Sequence, residues 1–505
     1  MLLPYLQPIK SATKKYVVAF KGLNFGEGWQ DGDLLDCTNL SSEKYPCISQ
    51  RAAREQVATY ISPTTLHTKG GLLVIDGTRV LYENEYVGDV TPGRKQTETI
   101  GNYIVIFPDK KYYNVATKVF GNMEETYTAT GLVFTDSSIT TTGEDFPFRD
   151  GDGVTITGCA TAENNKTPII RGVSGKELIF SANTFTATTE EASVTIKRAI
   201  PDLEFICESN YRLWGTKGNT IYSSAYSDPL NFNVFDGVAA DSYAIDVGTD
   251  GAFTGCIPYS SHICFFKENS LHKLYGVRPS NFQLVSANVY GVQAGCERSL
   301  KIVNEQLLYK GVEGVYSYTG GVPELISARF GTKRYHDAAA TCDGERYYIS
   351  MRHGEKWCLF VYDVLRNMWL CEDDTHAIDL TFHDGHVYLL DEEGALYKID
   401  RTADRSDVEW SATFCPFNET MNERKGYSKF HLRADLAEGA WLAVDIMTDQ
   451  DTQWREVYVG HNERAKTISV PIVPNRCDSV TIRLRGKGEC VVKTFVREFT
   501  TGSDV

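Results

Sequence analysis

Along most of the chain, short apolar runs alternate with polar breaks that carry Gly, Asn, Asp or Lys. The stretch YDVLRNMWLCEDD (362–374) shows the unit. Tyr362 and Trp369 bracket the polar segment Asp363 to Asn367, and a second apolar run follows, as two strands joined by a tight turn require. Residues 378–400, IDLTFHDGHVYLLDEEGALYKID, repeat it. The same unit follows Asp76-Gly77, Gly101-Asn102, Ser209-Asn210, Ser260-Ser261, Asn304-Glu305, Asp343-Gly344 and Asp384-Gly385. The last five of these turns, at 209, 260, 304, 343 and 384, are spaced by 51, 44, 39 and 41 residues. Four-stranded propeller blades recur at about 40–50 residues, and radial blades leave a long all-β chain few open edges. The pattern predicts a β-propeller of about six blades, with the opening stretch supplying one blade's inner hairpin. Long apolar segments of period 3.6 are missing, so helix is expected to be scarce.

Two regions break the period. The turns at 101 and 209 lie 108 residues apart, well over one blade. The excess, residues 127–198, is rich in Thr and reads as short strands (154–157, 169–172, 177–180, 193–197) between Gly and Asn turns, a small β-barrel inserted in a propeller loop. Beyond YKIDRTADRSD, residues 403–505 alternate cleanly: Phe430, Leu432, Ala434 and Leu436 share one face, as do Leu442, Val444 and Ile446, Ile468, Val470 and Ile472, and Val480, Ile482 and Leu484. Half-buried antiparallel strands of this kind predict a C-terminal β-sandwich. Residues 1–60 are expected to form an extended arm, leaving 61–126 and 199–402 to the propeller. Within that arm, Leu23, Phe25, Trp29 and Tyr45 are spaced anchors in a Gly-punctuated segment, of the kind that lies across its own domain or a neighbour's.

Composition narrows the chemistry. The net charge is −15, from 51 Lys and Arg against 66 Asp and Glu; residues 403–505 hold 14 against 16, so nearly all the imbalance lies before them. An acidic surface argues against tight binding to the outside of a DNA duplex, though not against a passage through which DNA slides. The 13 cysteines are an odd number scattered singly, with no CxxC pair. With no secretory leader in MLLPYLQPIK, they are expected to be reduced thiols of a protein made in a cytosol. No apolar run reaches the roughly 18 residues of a membrane span.

Catalytic and metal motifs are absent: no HExxH, GxSxG or GxxxxGK[ST] occurs. Asp246, Asp250, Glu297 and Asp337 are the carboxylates a propeller glycosidase would use, and His336, His376, His383 and His386 stand near turns, but the pattern favours solvated loops. Asp150 and Asp152 in DGDG invite a calcium reading, yet the closing Glu of an EF-hand is missing; a tight turn is expected. Neither enzyme activity, cofactor nor metal is expected. A local basic patch, Arg476, Arg483, Arg485 and Lys487, is read either as a solvated strand face or as a contact for an acidic partner subunit.

Several stretches, in order, resemble one family. They are GLN…DGDLLDCTNLSSEKYPCISQR (22–51), NYRLWGTKGNTIYSSAYSDPLNF (210–232), GCIPYSSHICFFKENSLHKLYG (255–276), GVEGVYSYTGGVPELIS (311–327) and VPIVPNRCDSVTIRLRGKGEC (470–490). The family comprises the β-propeller tail nozzle, or packaged-DNA stabilisation, proteins of short-tailed phages and their relatives in phages of Gram-positive bacteria. The resemblance spans nearly the whole chain and is weakest over 127–198. It implies a structural virion protein at the tail or head-to-tail junction, assembled as a ring, six copies being expected, beneath portal and adaptor proteins. Double-stranded DNA would pass through its lumen without sequence-specific binding, and the family has no catalytic residues to carry over. Ring contacts are expected from Leu23, Phe25, Trp29 and Tyr45 of the arm and from Arg476, Arg483, Arg485 and Lys487 of the sandwich, both meeting the acidic body of 1–402 on an adjacent subunit. Two other readings stand beside it: a receptor-binding protein that holds a surface glycan, and a carbohydrate-active propeller enzyme.

Overall fold

The computed structural model describes residues 12–419, 423–461, 466–473 and 476–501. The opening decapeptide read for a leader, and Pro474 and Asn475 of the last resembling stretch, lie outside the described residues. Residues Tyr60–Leu300 with Tyr309–Val312 form one compact unit, and the remaining described residues form the other. Among the described residues, helix is confined to single 3₁₀ turns at Ala162–Asn164, Pro279–Asn281, Glu297–Ser299 and Ala328–Phe330.

The chain builds an all-β propeller whose blades are antiparallel four-stranded meanders. The described residues hold seven such sheets, against the approximate six that turn spacing predicts. The first runs from Pro63–Thr68 to Glu85–Asp89, and the second from Gln96–Ile100 to Val119–Asn122. Both fit inside a shorter period than the later blades because their connections are tight turns. The third to sixth begin at Phe205–Ser209, Phe253–Tyr259, Lys301–Val303 and His336–Cys342. The seventh has only three strands of its own, Ala377–His383, His386–Asp391 and Ala395–Ile399. Arg54–Thr59 completes it, with Ile399 opposite Arg54 and Ala395 opposite Thr59. At the head of its hairpin, Asp384 and Gly385 take φ of 46° and 78°, the left-handed pair that a two-residue turn needs.

The continuous apolar runs have a direct cause. A blade is covered on both faces, so both sets of alternating side chains must be apolar. In the second blade Ile104 and Ile106 join Leu73, Ile75 and Val80 of the first. Val105 and Phe107 turn the other way, to Ile206 and Leu213 of the third. Trp214 and Ile221 of the third blade then meet Ile263 and Phe265 of the fourth. In the other unit, Tyr348, Leu359 and Val361 of the sixth blade share a core with Leu380, Val387 and Leu389 of the seventh.

Residues 125–198 leave and rejoin the propeller side by side, since Glu125–Ala129 pairs with Val194–Arg198. Between them lie a three-stranded and a five-stranded sheet around one core of Leu132, Phe134, Ile139, Ile156, Leu178, Phe180 and Ile196, among others. The C-terminal residues form a sandwich. One sheet runs in the order 409–414, 480–487, 441–448, 455–461, and the other is built on Lys425–Leu436 paired with Cys490–Thr501. Phe414 of the first stacks on Phe495 of the second, with ring centroids 5.9 Å apart.

The extended arm is not what forms. Leu34–Thr38 adds to the first sandwich sheet beside Glu409–Phe414. Thr13–Val17 and Ile48–Gln50 add one after the other along the free edge of Cys490–Thr501. These strands are short and separated by Gly, Pro and turns, so their sequence shows no periodicity. Their partners lie at the opposite end of the chain, where no local pattern points.

Candidate functional site

The basic strand Val480–Lys487 sits in the middle of the five-stranded sandwich sheet, between Glu409–Phe414 and Trp441–Thr448. Ile482 and Leu484 point into the core, which turns Arg483 and Arg485 to the outer face. Asp445 stands opposite Arg483 on the neighbouring strand. The Nε atoms of Arg483 and Arg485 donate to Asp445 Oδ2 at 2.9 and 2.8 Å, and the Asp445 side chain is only 2% exposed. Burial by itself would raise its carboxyl, but the hydrogen bonds and charges of Arg485 and Arg483 outweigh that and hold it below the ordinary 3.8. Arg485 also pairs with Glu456 at 2.5 Å, and Arg483 lies 4.4 Å over the Trp454 ring. Lys487 pairs with Asp407 at 3.0 Å. Arg476 is exposed on the other sheet, in a two-residue strand beside Lys425 and Gly426. The structure therefore separates Arg476 from the other three, and it commits those three to intramolecular carboxylates.

The anchors of residues 20–55 lie across the chain's own sixth blade and sandwich. Leu23 is fully buried and donates its N–H to Trp369 O at 2.8 Å; it is a core residue, which corrects its reading as a subunit contact. Its neighbour Gly22 is obligatory at this crossing, because a Cβ there would stand 2.3 Å from Trp369 O. Phe25 packs on Phe330, with centroids 5.4 Å apart, and Lys333 Nζ lies 3.5 Å over its ring. Trp29 and Tyr45 keep exposed surface, 37% and 44%, while Trp29 Nε1 donates to Pro416 O and Arg366 covers the Tyr45 ring. Ion pairs complete the seam. Glu43 meets Arg346 and Arg405, and Arg54 meets Glu372 and Asp373 at 2.7 and 2.9 Å.

The propeller carboxylates are each engaged. Glu297 accepts from Arg94 at 2.9 Å and Gln96 at 3.1 Å, Asp337 from Arg352 at 2.5 and 2.9 Å, and Asp246 from Thr220 at 2.5 Å. Asp250 acts at longer range on Lys267. His376 stacks on Trp357 at 3.5 Å and bonds Glu392, while His383 and His386 face each other across the seventh blade's hairpin. His336, at the start of the sixth blade, pairs with Arg352 across the ladder. Among the described residues no three His, Cys, Asp or Glu side chains are placed to share a metal. Asp152 is fully buried, and its oxygens accept from Arg149, Arg198 and Asn231; Asp150 accepts from Val173 N at 2.7 Å. These donors make DGDG a turn that ties the insert to the third blade, as the sequence pattern favours.

One feature escaped sequence reading. A cleft of about 590 Å³ opens where Asp36–Thr38 of the sandwich meets Glu355–Cys358 and Cys371–Asp374 of the sixth blade. It gathers three of the thiols that look isolated in sequence. Cys371 N donates to Cys37 Sγ at 3.2 Å and the Cys371 thiol donates to Asp373 O at 3.6 Å, while Cys358 lines the same cleft from the neighbouring strand. A signal for Cys358 and Cys371 did exist. With Tyr362 opposite Trp369, Phe360 falls opposite Cys371, and Cys358 shares the face of Phe360. No signal pointed to Cys37.

No protein-family model matches the chain, and no curated protein matches it. Solved structures of similar shape include BamB from Moraxella catarrhalis, at 10% identity and TM-score 0.35 over 69% of this chain and 97% of that one. Kluyveromyces lactis Hsv2 gives 8% identity and TM-score 0.29 over 73% and 98%. An exo-β-1,3-galactanase from Phanerochaete chrysosporium gives 10% identity and TM-score 0.21 over 57% and 92%. Likenesses this distant carry no activity, substrate or partner over to this chain.

Proposed function

We propose that this chain is a structural, non-enzymatic virion protein of a tailed phage, a ring-forming nozzle or head-to-tail subunit that retains packaged DNA and lines its exit. The supporting observation is the coincidence of the resembling stretches with whole structural elements. Residues 210–232 open on the central hairpin of the third blade, 255–276 hold that of the fourth, 311–327 the outer strands of the fifth, and 22–51 and 470–490 the strands that weave the two ends of the chain into one sandwich. The charge of −15 agrees with a passage that repels phosphate and so does not hold the DNA back. Engagement of Asp246, Glu297 and Asp337 in ion pairs and hydrogen bonds agrees with a scaffold role. The partners proposed are further copies of the chain, portal and adaptor proteins, and DNA in transit; the place of action is the virion, after synthesis in the host bacterial cytoplasm.

Electron microscopy of the purified protein, alone and mixed with portal–adaptor complexes, tests this reading. The expected particle is a closed ring with a central lumen wide enough for a DNA duplex. A protein that stays monomeric in both preparations and is retained on a host-surface glycan column would replace it with the receptor-binding reading.

A further inference from the structure

The cleft at the sixth blade holds a pair of thiols placed for chemistry. Cys358 and Cys371 sit on neighbouring strands, Lys356–Asp363 and Met368–Asp373, on the same face of the sheet. The ladder is irregular at this point: Phe360 pairs with Cys371 but Leu359 with Asp373, so Glu372 is an extra residue. Such a bulge bends the strand and re-aims its side chains. Both thiols are half-buried and line the open cleft, so a small solute reaches them. Their roles differ. The neighbouring Cys371 thiol is the largest influence on Cys358 and holds its thiol below the ordinary value, against burial and the charges of Asp36 and Asp374, with Lys333 assisting. The nearness of Cys358, with burial and the nearby Cys37 and Asp373, drives Cys371 well above. Cys358 is thus the more acidic of the two thiols, the one that attacks first in a reactive dithiol.

We propose that Cys358 and Cys371 form a hydroperoxide-oxidisable pair, in which Cys358 takes up the oxygen and Cys371 resolves it to a disulfide. In the first step the Cys358 sulfur attacks the peroxide. An S–O bond forms, the O–O bond breaks, and the departing oxygen takes the thiol proton to leave as an alcohol, or as water from hydrogen peroxide. In the second, the Cys371 sulfur attacks the Cys358 sulfenic acid. The S–S bond forms, the S–O bond breaks, and hydroxide leaves as water with the Cys371 proton. Two electrons pass from the two sulfurs to the peroxide. The product would fasten the third and fourth strands of the sixth blade beside the sandwich strand Leu34–Thr38. Cys37 takes no part: it is buried, and burial first of all pushes its thiol up to about 12.

Tryptic cleavage after Lys356, Arg366 and Lys398 places Cys358 and Cys371 on separate peptides, 357–366 and 367–398. The intact protein is treated with equimolar hydrogen peroxide, alkylated and digested without reduction. Mass spectrometry is expected to find these two peptides cross-linked, with Cys37 still alkylated. In Cys371→Ser the link is lost and dimedone labels Cys358; in Cys358→Ser both the link and the label are lost, while circular dichroism stays that of the parent. Absence of the 357–366 to 367–398 link in the parent, at a dose that oxidises other cysteines, overturns the proposal. So does a link to Cys37 in its place, or dimedone on Cys371 of the Cys358→Ser protein.

Discussion

Asp445 decides what the basic strand can do. Its carboxylate is buried, and the guanidinium groups of Arg483 and Arg485 satisfy it. Removing the partners of a buried charge costs about 3–5 kcal/mol. The double substitution Arg483→Glu with Arg485→Glu is therefore expected to lower the urea midpoint of the sandwich before it affects any subunit contact. Unchanged stability of the double variant would show that the two arginines are dispensable to the fold and free for a partner. The same carboxylate gives a pH dependence. Its folded value lies below the unfolded 3.8, so the stabilisation is complete above that value and is lost as pH falls through the folded one. Glu419 behaves alike: burial raises its carboxyl, but Arg497 and Lys15 outweigh burial and hold it below 4.5. Urea midpoints measured from roughly pH 5 to pH 2 should fall with acidity, and should fall less steeply in Asp445→Asn, which starts lower. A slope equal to the parent's would remove Asp445 from the account.

At the scale of elements, the insert is the clearest test. Its entering and leaving strands pair with each other, and its core is its own. Its ion pairs to the third blade are Arg149–Asp228 and Arg171–Asp236, both partly exposed, and pairs of that kind contribute about 0–1 kcal/mol. Asp152 also binds Asn231 in the blade and Arg198 at the exit, so the excision has to include Arg198 and not strand it. Replacing 125–198 by a short Gly/Ser bridge is expected to leave a soluble protein with the β-sheet circular dichroism of the remainder. Aggregation would mean that Ile200 and Leu203, which pack against Met123 in the propeller core, depend on the insert for their placement. The insert was legible in sequence because it interrupts a period. The blade strands were legible too: in Ile104–Phe107 both alternating faces are apolar, and a run of that kind needs cover on both sides.

For the molecule as a whole, the two ends of the chain are one structure. Deleting residues up to Ala53 removes strands from both sandwich sheets and bares the edges of Glu409–Phe414 and Cys490–Thr501. Unpaired edges invite association with other chains. The truncated protein is expected to aggregate although it keeps every residue from 403 on. A soluble, protease-resistant product would return the segment to the status of a removable arm.

Alternation along the chain, by itself, settled which residues are buried and on how many faces. Phe430, Leu432, Ala434 and Leu436 are all buried, as the period of two requires, and the tight turn between Tyr362 and Trp369 puts those two rings opposite each other, 4.7 Å apart. Periodicity reports on the local surroundings of a strand and says nothing of its partner's address. That Arg54–Thr59 closes the seventh blade, that Leu34–Thr38 lies beside Glu409–Phe414, that Asp445 neutralises Arg483 and Arg485, and that Cys37 meets Cys371 were decided only when the chain folded. Each is a pairing between segments that carry no mark of one another in sequence, and each gives a backbone edge, a buried charge or a backbone N–H a complement that burial would otherwise deny it.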